Sequence, residues 1–173
     1  MDMTHEELTR RAARGDSAAF SALVREHQSK IRGFLRRLTR GDAALADDLA
    51  QETFFDAWRK IAQYRAEGSF SSWLCGIAWS RFLMNRRKRR EEPLEDADNN
   101  ISFDPAPAHA AKLDLEKAMA RLAAPERAAL TLCYALGHSH GEAAEILELP
   151  LGTVKSHVLR GREKLQAMLE APA

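Results

Sequence analysis

The stretch HGEAAEILELPLGTVKSHVL, residues 140 to 159, predicts two short helices joined by a tight turn. In the first helix, Gly141 to Leu147, Ala144 and Leu147 lie on one side, and the small Ala144 lets two helices cross closely. Pro150 suits the first turn of the second helix, where no backbone donor is needed. This layout is that of a helix-turn-helix, which sets its second helix into the major groove of DNA.

The second helix of this pair has two chemically different faces. At about 100° per residue, one arc is apolar and the opposite arc is cationic and polar. The apolar arc holds Val154, Val158, Gly161, Leu165, Met168 and Leu169. The opposite arc holds Lys155, Ser156, Leu159 and Arg160, with His157 and Arg162 at its margins. Such a front suits base edges flanked by phosphates. The alternative is the solvated face of an ordinary helical bundle.

The composition limits the class of protein. With 173 residues, 45% of them hydrophobic, the chain can form one domain or two small ones. No apolar run approaches the roughly 20 residues that span a bilayer, and the N-terminus lacks the apolar core of a signal peptide. We therefore expect a cytoplasmic protein without membrane insertion. Cys75 and Cys133 show no C-x-x-C spacing, so two reduced, buried thiols are expected.

The net charge of +1 conceals an uneven distribution along the chain. Residues 1 to 90 carry 18 Lys and Arg against 11 Asp and Glu, whereas residues 112 to 173 carry eight of each. Residues 91 to 111 hold six acids, three prolines and no Lys or Arg, a composition typical of a flexible linker. Nothing alternates with period two. We therefore predict an all-α fold of two small helical domains, 1–90 and 112–173, joined by a flexible acidic linker.

The third predicted helix, which begins after Asp42 and runs to about Tyr64, has one apolar face and one polar face. Its apolar stripe holds Ala46, Leu49, Ala50, Phe54, Ala57 and Ile61. The other side holds Asp48, Gln51, Glu52, Phe55 and Arg59. An aromatic ring surrounded by polar groups is typical of a protein interface, and the acids favour a basic partner. A scattered surface phenylalanine is the alternative.

The fourth predicted helix, from about residue 71 to 90, changes character along its length. Its first three turns are apolar nearly all round, and burial in a bundle accounts for Trp73, Trp79 and Phe82. Its end is basic from Arg86 to Arg90. This basic run, together with Arg81, favours contact with phosphates, and aromatics beside cations suit single-stranded DNA. A solvated basic tail remains the alternative.

The chain shows no pattern of an enzyme or of a metal centre. Four acids on the third helix lack a supporting histidine, a phosphate loop or an activated nucleophile: Asp47, Asp48, Glu52 and Asp56. Cys133, His138 and His140 span a helix end and a turn with no fourth ligand in view. We therefore expect no catalytic residue, no metal and no cofactor.

Three motifs, in this order and spacing, resemble the bacterial sigma factors of the extracytoplasmic-function (ECF) type. They are Ala50-Gln51-Glu52-Thr53-Phe54 with Ala57-Trp58, Phe70-x-x-Trp73-Leu74-x-x-Ile77-Ala78, and Pro150-Leu151-Gly152-Thr153-Val154-Lys155-Ser156. The resemblance covers nearly all of residues 15 to 90 and 112 to 169. It implies region 2 in the first domain and region 4, with the helix-turn-helix, in the second.

The resemblance also implies roles for particular residues. Asp48, Gln51, Glu52 and Phe55 would dock on the coiled coil of the largest catalytic subunit of core RNA polymerase. The loop from about Tyr64 to Phe70 and the fourth helix would read the minus-ten element, with Tyr64, Phe70, Trp73, Ser80, Arg81, Arg86 and Arg87 as contacts. Lys155, Ser156, His157, Leu159 and Arg160 would read the minus-thirty-five element as duplex.

Two positions depart from the family pattern. Many members carry Asn at the position of Ser80, so the minus-ten sequence is less predictable here. His140 and Gly141 replace the aromatic and acidic residues often found where the helix-turn-helix begins, which predicts a weaker start for that helix.

The implied activity is promoter-specific initiation for a stress or envelope-response regulon, under an anti-sigma factor. The linker would cross the polymerase in place of the absent third region. Two other hypotheses stay open from the sequence. One is a stand-alone helix-turn-helix regulator, and the other is a helical protein that is titrated by a signalling partner.

Overall fold

The computed structural model describes residues 4–91 and 110–171, which hold eight α-helices and no strand. The prediction of an all-α fold is confirmed. Most of the predicted linker, residues 92–109, lies outside the described part of the chain. The helices are α1 (His5–Ala13), α2 (Ser17–Leu38), α3 (Ala43–Lys60), α4 (Phe70–Glu91), α5 (Ala110–Arg121), α6 (Ala124–Leu130), α7 (His140–Leu147) and α8 (Leu151–Glu170).

The N-terminal half is a bundle in which α2 packs against α1, α3 and α4. Polar side chains begin its helices: Asp16 accepts hydrogen bonds from the first turn of α2, and Asp42 accepts one from the first turn of α3. The apolar faces of α2, α3 and α4 meet in a core that includes Leu23, Phe34 and Leu74. A single turn of 3₁₀ helix, Ile61–Gln63, follows α3 and leads into the loop before α4.

The helix-turn-helix is formed by α7 and α8. The prediction that α7 begins weakly was wrong, because Ser139 and Glu142 form a reciprocal capping box at its start. The turn passes through Glu148, which has a left-handed backbone with φ of 53°, and α8 begins directly after Pro150. The buried side of α7 consists of Ala143, Ile146 and Leu147, and Ala144 packs partly buried against the same core.

Helix α8 crosses α6 closely, which holds the helix-turn-helix on the rest of the C-terminal half. A Cβ atom added at Gly161 would lie 2.7 Å from Leu130 Cδ1, so the glycine permits the approach. Lys164 donates hydrogen bonds to both carboxylate oxygens of the buried Glu126. Val154 and Val158 are buried on the same face of α8, as predicted, whereas Leu169 at its end is exposed.

The two halves pack against each other, with α2 and α4 on one side and α5, α6 and α7 on the other. Arg37 of α2 forms a 3.2 Å ion pair with Glu116 of α5. Ser72 Oγ of α4 lies 3.3 Å from His138 Nδ1, just before α7. Arg127 of α6 donates to the backbone oxygen of Leu38 at the end of α2. Polar contacts therefore join the halves at three separate points.

Within the described ranges, no helix is both long and apolar enough to cross a membrane. Cys75 and Cys133 are both free, as predicted, and Cys133 is only half-buried. Burial raises the pKa of the Cys75 thiol to about 12, so this thiol stays protonated at neutral pH.

We expect the contact at His138 to weaken in acid. Burial lowers the pKa of His138 below its usual 6.5, although the nearby Glu142 carboxylate opposes the shift. The folded protein therefore favours the neutral ring, and the unfolded chain binds the proton more readily. The free energy of unfolding will fall as the pH drops below about 6.5. Urea titrations between pH 7.5 and 5 measure this slope, which His138→Gln will reduce; a slope in the variant equal to that of the wild type would show that His138 binds protons equally well in the folded and unfolded states.

Candidate functional site

The exposed face of α3 is as the sequence predicts. Asp48, Gln51 and Glu52 are all exposed. The Phe55 side chain is 60% exposed, and the guanidinium of Arg59 lies 5.5 Å from its ring centroid. Phe55 thus projects to solvent, since the core occupies the opposite face of α3. The carboxylates of Asp48 and Glu52 make the surface around it mostly acidic.

A groove between α2 and α3 adjoins this face. Phe55 and Gln51 form one edge, and the rings of Phe20 and Trp58 pack together in its wall with centroids 5.0 Å apart. The full lining is Phe20, Val24, Gln28, Arg32, Ala50, Gln51, Phe54, Phe55 and Trp58. This surface combines an apolar floor with polar edges, which is the usual build of a protein interface.

Arg81 does not lie free beside the basic end of α4. Its Nε donates to the buried Asp56 carboxylate at 2.5 Å, and its Nη1 lies 3.6 Å from Glu52. The guanidinium holds the pKa of the Asp56 carboxyl below its usual value, so the pair stays charged. In this structure the Arg81 guanidinium therefore links α4 to α3 through Asp56 and Glu52, and its contact with DNA stays a prediction.

Three aromatic residues predicted as minus-ten contacts pack together around the loop before α4. The Tyr64 and Phe70 centroids are 5.5 Å apart, and the Tyr64 and Trp73 centroids are 5.2 Å apart. The Tyr64 hydroxyl donates to the Gly68 backbone oxygen across the loop. Phe70 is only 2% exposed, so in this structure it supports the loop from beneath, whereas Tyr64 and Trp73 reach the surface.

These surface residues line a large groove along α4. Ser80 and Arg87 continue the line beyond Trp73, and both are exposed. Leu83 and Met84, which the sequence analysis did not single out, also line the groove and are exposed. Their signal was present as two adjacent apolar residues, which only Asn85 separates from the basic run. The opposite wall belongs to α7 and the turn after it, with Glu145, Ile146 and Glu148.

Arg86 lies apart from this groove. Its guanidinium is 5.7 Å from the Phe82 ring centroid, and burial lowers its pKa, with Arg90 and Arg40 adding to the shift. Of the two arginines predicted at this end of α4, the structure therefore places only Arg87 on the groove.

The polar face of α8 is also exposed as predicted. Lys155, Ser156 and Arg160 point outward, and Leu159 is 56% exposed among them. His157 differs, because its ring is half-buried and its Nδ1 is enclosed without a hydrogen-bond partner. Burial lowers the pKa of His157, so this ring adds no full charge to the face at neutral pH.

Family models match both halves of the chain: sigma-70 region 2 over residues 23–92, and sigma-70 region 4 over residues 112–165. The RNA polymerase sigma-H factor of Pseudomonas aeruginosa is 32% identical over 181 residues, covering 95% of this chain and 93% of that protein. The ECF RNA polymerase sigma factor SigE of Mycolicibacterium smegmatis is 38% identical over 169 residues. That alignment covers 91% of this chain but only 65% of SigE.

A solved structure has the same arrangement of helices. It is the sigma factor RpoE in complex with the anti-sigma factor NepR from Bartonella quintana, with a TM-score of 0.76 and 30% sequence identity. The match covers 89% of this chain and 98% of that one. Region 2 corresponds to the half that carries the α3 face, and region 4 to the half that carries the helix-turn-helix. The chain therefore belongs to the ECF-type sigma factors of bacterial RNA polymerase.

Proposed function

We propose that this protein binds core RNA polymerase through the α3 face and directs it to promoters by reading two DNA elements. The observation that carries the proposal is the α3 surface itself, where Phe55 stands exposed among Asp48, Gln51 and Glu52. A stand-alone regulator has no need of a second, acidic interface far from its helix-turn-helix. The partner surface would be basic with an apolar centre, as expected for a helical coiled coil of the polymerase.

The minus-ten element would enter the groove along α4. Tyr64 and Trp73 offer ring faces for unstacked bases, and Arg87 offers a cation for the backbone. Ser80 lies on the same groove and would contact a base through its hydroxyl. Phe70 would act indirectly by supporting the loop before α4, and Arg81 would act indirectly by holding Glu52 in place. Capturing a base costs a few kcal/mol of unstacking, which favours sequences that open easily.

The minus-thirty-five element would be read as duplex by α8. Lys155 and Arg160 supply charge for phosphates and guanine edges, while Ser156 and Leu159 contact bases between them. His157 would contribute from the margin of this face. The protein would carry out no covalent chemistry of its own and would act by placing the polymerase.

The closed packing of the two halves favours control by a third protein. In this structure α7 walls one side of the α4 groove, so separation of the halves would widen the groove for DNA. The related RpoE was solved with the anti-sigma factor NepR. We propose that an anti-sigma factor likewise holds this protein inactive, and that its release lets core polymerase bind and spread the two halves.

Reconstituted transcription tests this function. Purified core enzyme plus the full chain, offered a random promoter library, will give run-off transcripts from a defined subset of sequences. Lys155→Ala with Arg160→Ala will lower initiation from the selected promoters about tenfold or more, because each base or phosphate contact contributes about 1–3 kcal/mol.

The matched control is Lys112→Ala, an exposed lysine on α5, which will leave initiation unchanged. Wild-type initiation by the double variant would refute the role of α8. Tight duplex binding without polymerase, together with no initiation from any fragment, would instead identify a stand-alone regulator.

A further inference from the structure

Three side chains that are distant in sequence meet where α1 packs on α2. His5 is the first residue of α1, and Glu26 and His27 are neighbours on α2. His5 Nδ1 lies 3.3 Å from Glu26 Oε2, and His27 Nε2 lies 3.9 Å from Glu26 Oε1. One ligand atom from each residue falls within 4.8 Å of the other two. Among the described residues, Cys133, His138 and His140 form no such group.

His27 is the unusual member of this cluster. Its side chain is buried, with the residue only 5% exposed, and neither ring nitrogen has a hydrogen-bond partner. A buried polar group without a partner destabilises the fold, so native structures rarely leave one unexplained. The Nε2 atom is also the one that faces the Glu26 carboxylate.

We propose that His5, Glu26 and His27 bind a divalent transition-metal ion of the zinc class, with water at the fourth position. Zinc takes imidazole nitrogen at about 2.0–2.1 Å in a tetrahedron, which sets ligand atoms about 3.3 Å apart. His5 Nδ1 and Glu26 Oε2 already lie 3.3 Å apart, and rotation of the partly exposed His5 and the exposed Glu26 side chains would bring the other pairs, which lie within 4.8 Å, to this spacing. Two imidazoles and one carboxylate form a donor set that zinc commonly uses.

The site is tied to the proposed minus-ten loop through Phe70. The Phe70 ring centroid lies 5.6 Å from that of His5 and 5.3 Å from that of His27. The same ring contacts Tyr64 and Trp73. A bound ion would therefore fix α1 on α2 and hold the Phe70 ring beneath the loop. Removal of the ion will loosen α1 first.

Zinc titration of the full chain, prepared without an affinity tag and stripped of metal, tests the site. Calorimetry will show one equivalent of Zn²⁺ bound, and Co²⁺ will give the visible absorption of a tetrahedral complex. His5→Ala and Glu26→Gln will each weaken Zn²⁺ binding at least tenfold. Both residues are partly or fully exposed, so these variants will keep the fold. Zinc will also raise the Tm of the wild type but not of either variant.

Two control variants separate this site from adventitious binding. Glu6→Gln changes the neighbouring carboxylate, which pairs with Arg10, and His140→Ala removes a histidine outside the cluster. Both will bind Zn²⁺ as the wild type does. The proposal fails if the wild type binds no Zn²⁺, if His5→Ala and Glu26→Gln leave binding intact, or if His140→Ala removes it. None of these results depends on polymerase.

Discussion

Phe55→Ala will lower the affinity of this sigma factor for core RNA polymerase by about thirtyfold. Exposed aromatics at the centre of an interface commonly contribute about 2 kcal/mol or more on truncation to alanine, and each 1.4 kcal/mol is a factor of ten. Phe55 has this position, because it projects beside the apolar groove between α2 and α3 with carboxylates around it. Competition against a labelled sigma factor for core enzyme measures the effect.

The variant will keep its fold, because the Phe55 ring contributes little to the core. Circular dichroism and urea unfolding check this directly. Leu169→Ala is the matched control, since it also removes an exposed apolar side chain, from the end of α8. Gln51→Ala with Glu52→Ala will reduce core binding in the same assay. If Phe55→Ala competes as well as the wild type, the α3 face is not the docking surface.

The local features of the fold followed from sequence periodicity. The polar face of α3 and the buried stripe of α8 both lie where 3.6-residue spacing puts them, because a helix fixes the direction of each side chain. Caps at Asp16 and Asp42 follow from the same short-range chemistry. Helix α7 has a stronger N-terminal cap than predicted. Its cap residue, Ser139, precedes His140 and Gly141, from which the weaker start was predicted.

Long-range contacts were not predictable from spacing. Arg81 precedes a basic run on the same helix in sequence, yet Asp56 from another helix pairs with it in the fold. Phe70 begins a helix, and only the packing of α1 and α2 shows that its ring is buried. The residue pattern along one helix does not specify which side chains of other helices will face it. In this structure Arg81 and Phe70 therefore contact side chains of other helices, and their contacts with DNA stay predictions.

The closed arrangement of the two halves depends on such a contact. Arg127 of α6 is 2% exposed and donates to the backbone oxygens of Leu122 and Leu38, at 2.6 and 2.9 Å. Leu122 directly follows α5, and Leu38 is the last residue of α2. Carbonyls at helix ends have no partner within the helix, and the helix dipole favours a cation there. One guanidinium thus satisfies two helix ends from different halves.

Burial of the Arg127 guanidinium disfavours its charged form but does not neutralise it. Desolvation, with Arg40 and Arg86 nearby, lowers the pKa of Arg127 to about 10, so the guanidinium is still charged at neutral pH. Hydrogen bonds to charged groups contribute about 1.5–3 kcal/mol each, and carbonyls that stay buried without a donor cost about 1–3 kcal/mol each. The two carbonyls remain in place when the side chain is shortened. The free energy lost when both carbonyls have no donor therefore exceeds the free energy gained by removing a buried charge.

Arg127→Met will accordingly lower the free energy of unfolding by about 2–4 kcal/mol and separate the halves. Urea unfolding measures the first effect, and a larger radius of gyration in small-angle scattering reports the second. Arg127→Lys will recover only part of the loss, because an ammonium lacks the planar fork that reaches both carbonyls. Arg121→Met, which changes an exposed arginine on α5, will stay within about 0.5 kcal/mol of the wild type. Full stability of Arg127→Met would mean that the buried charge costs as much as its two hydrogen bonds return, and that other contacts hold the halves together.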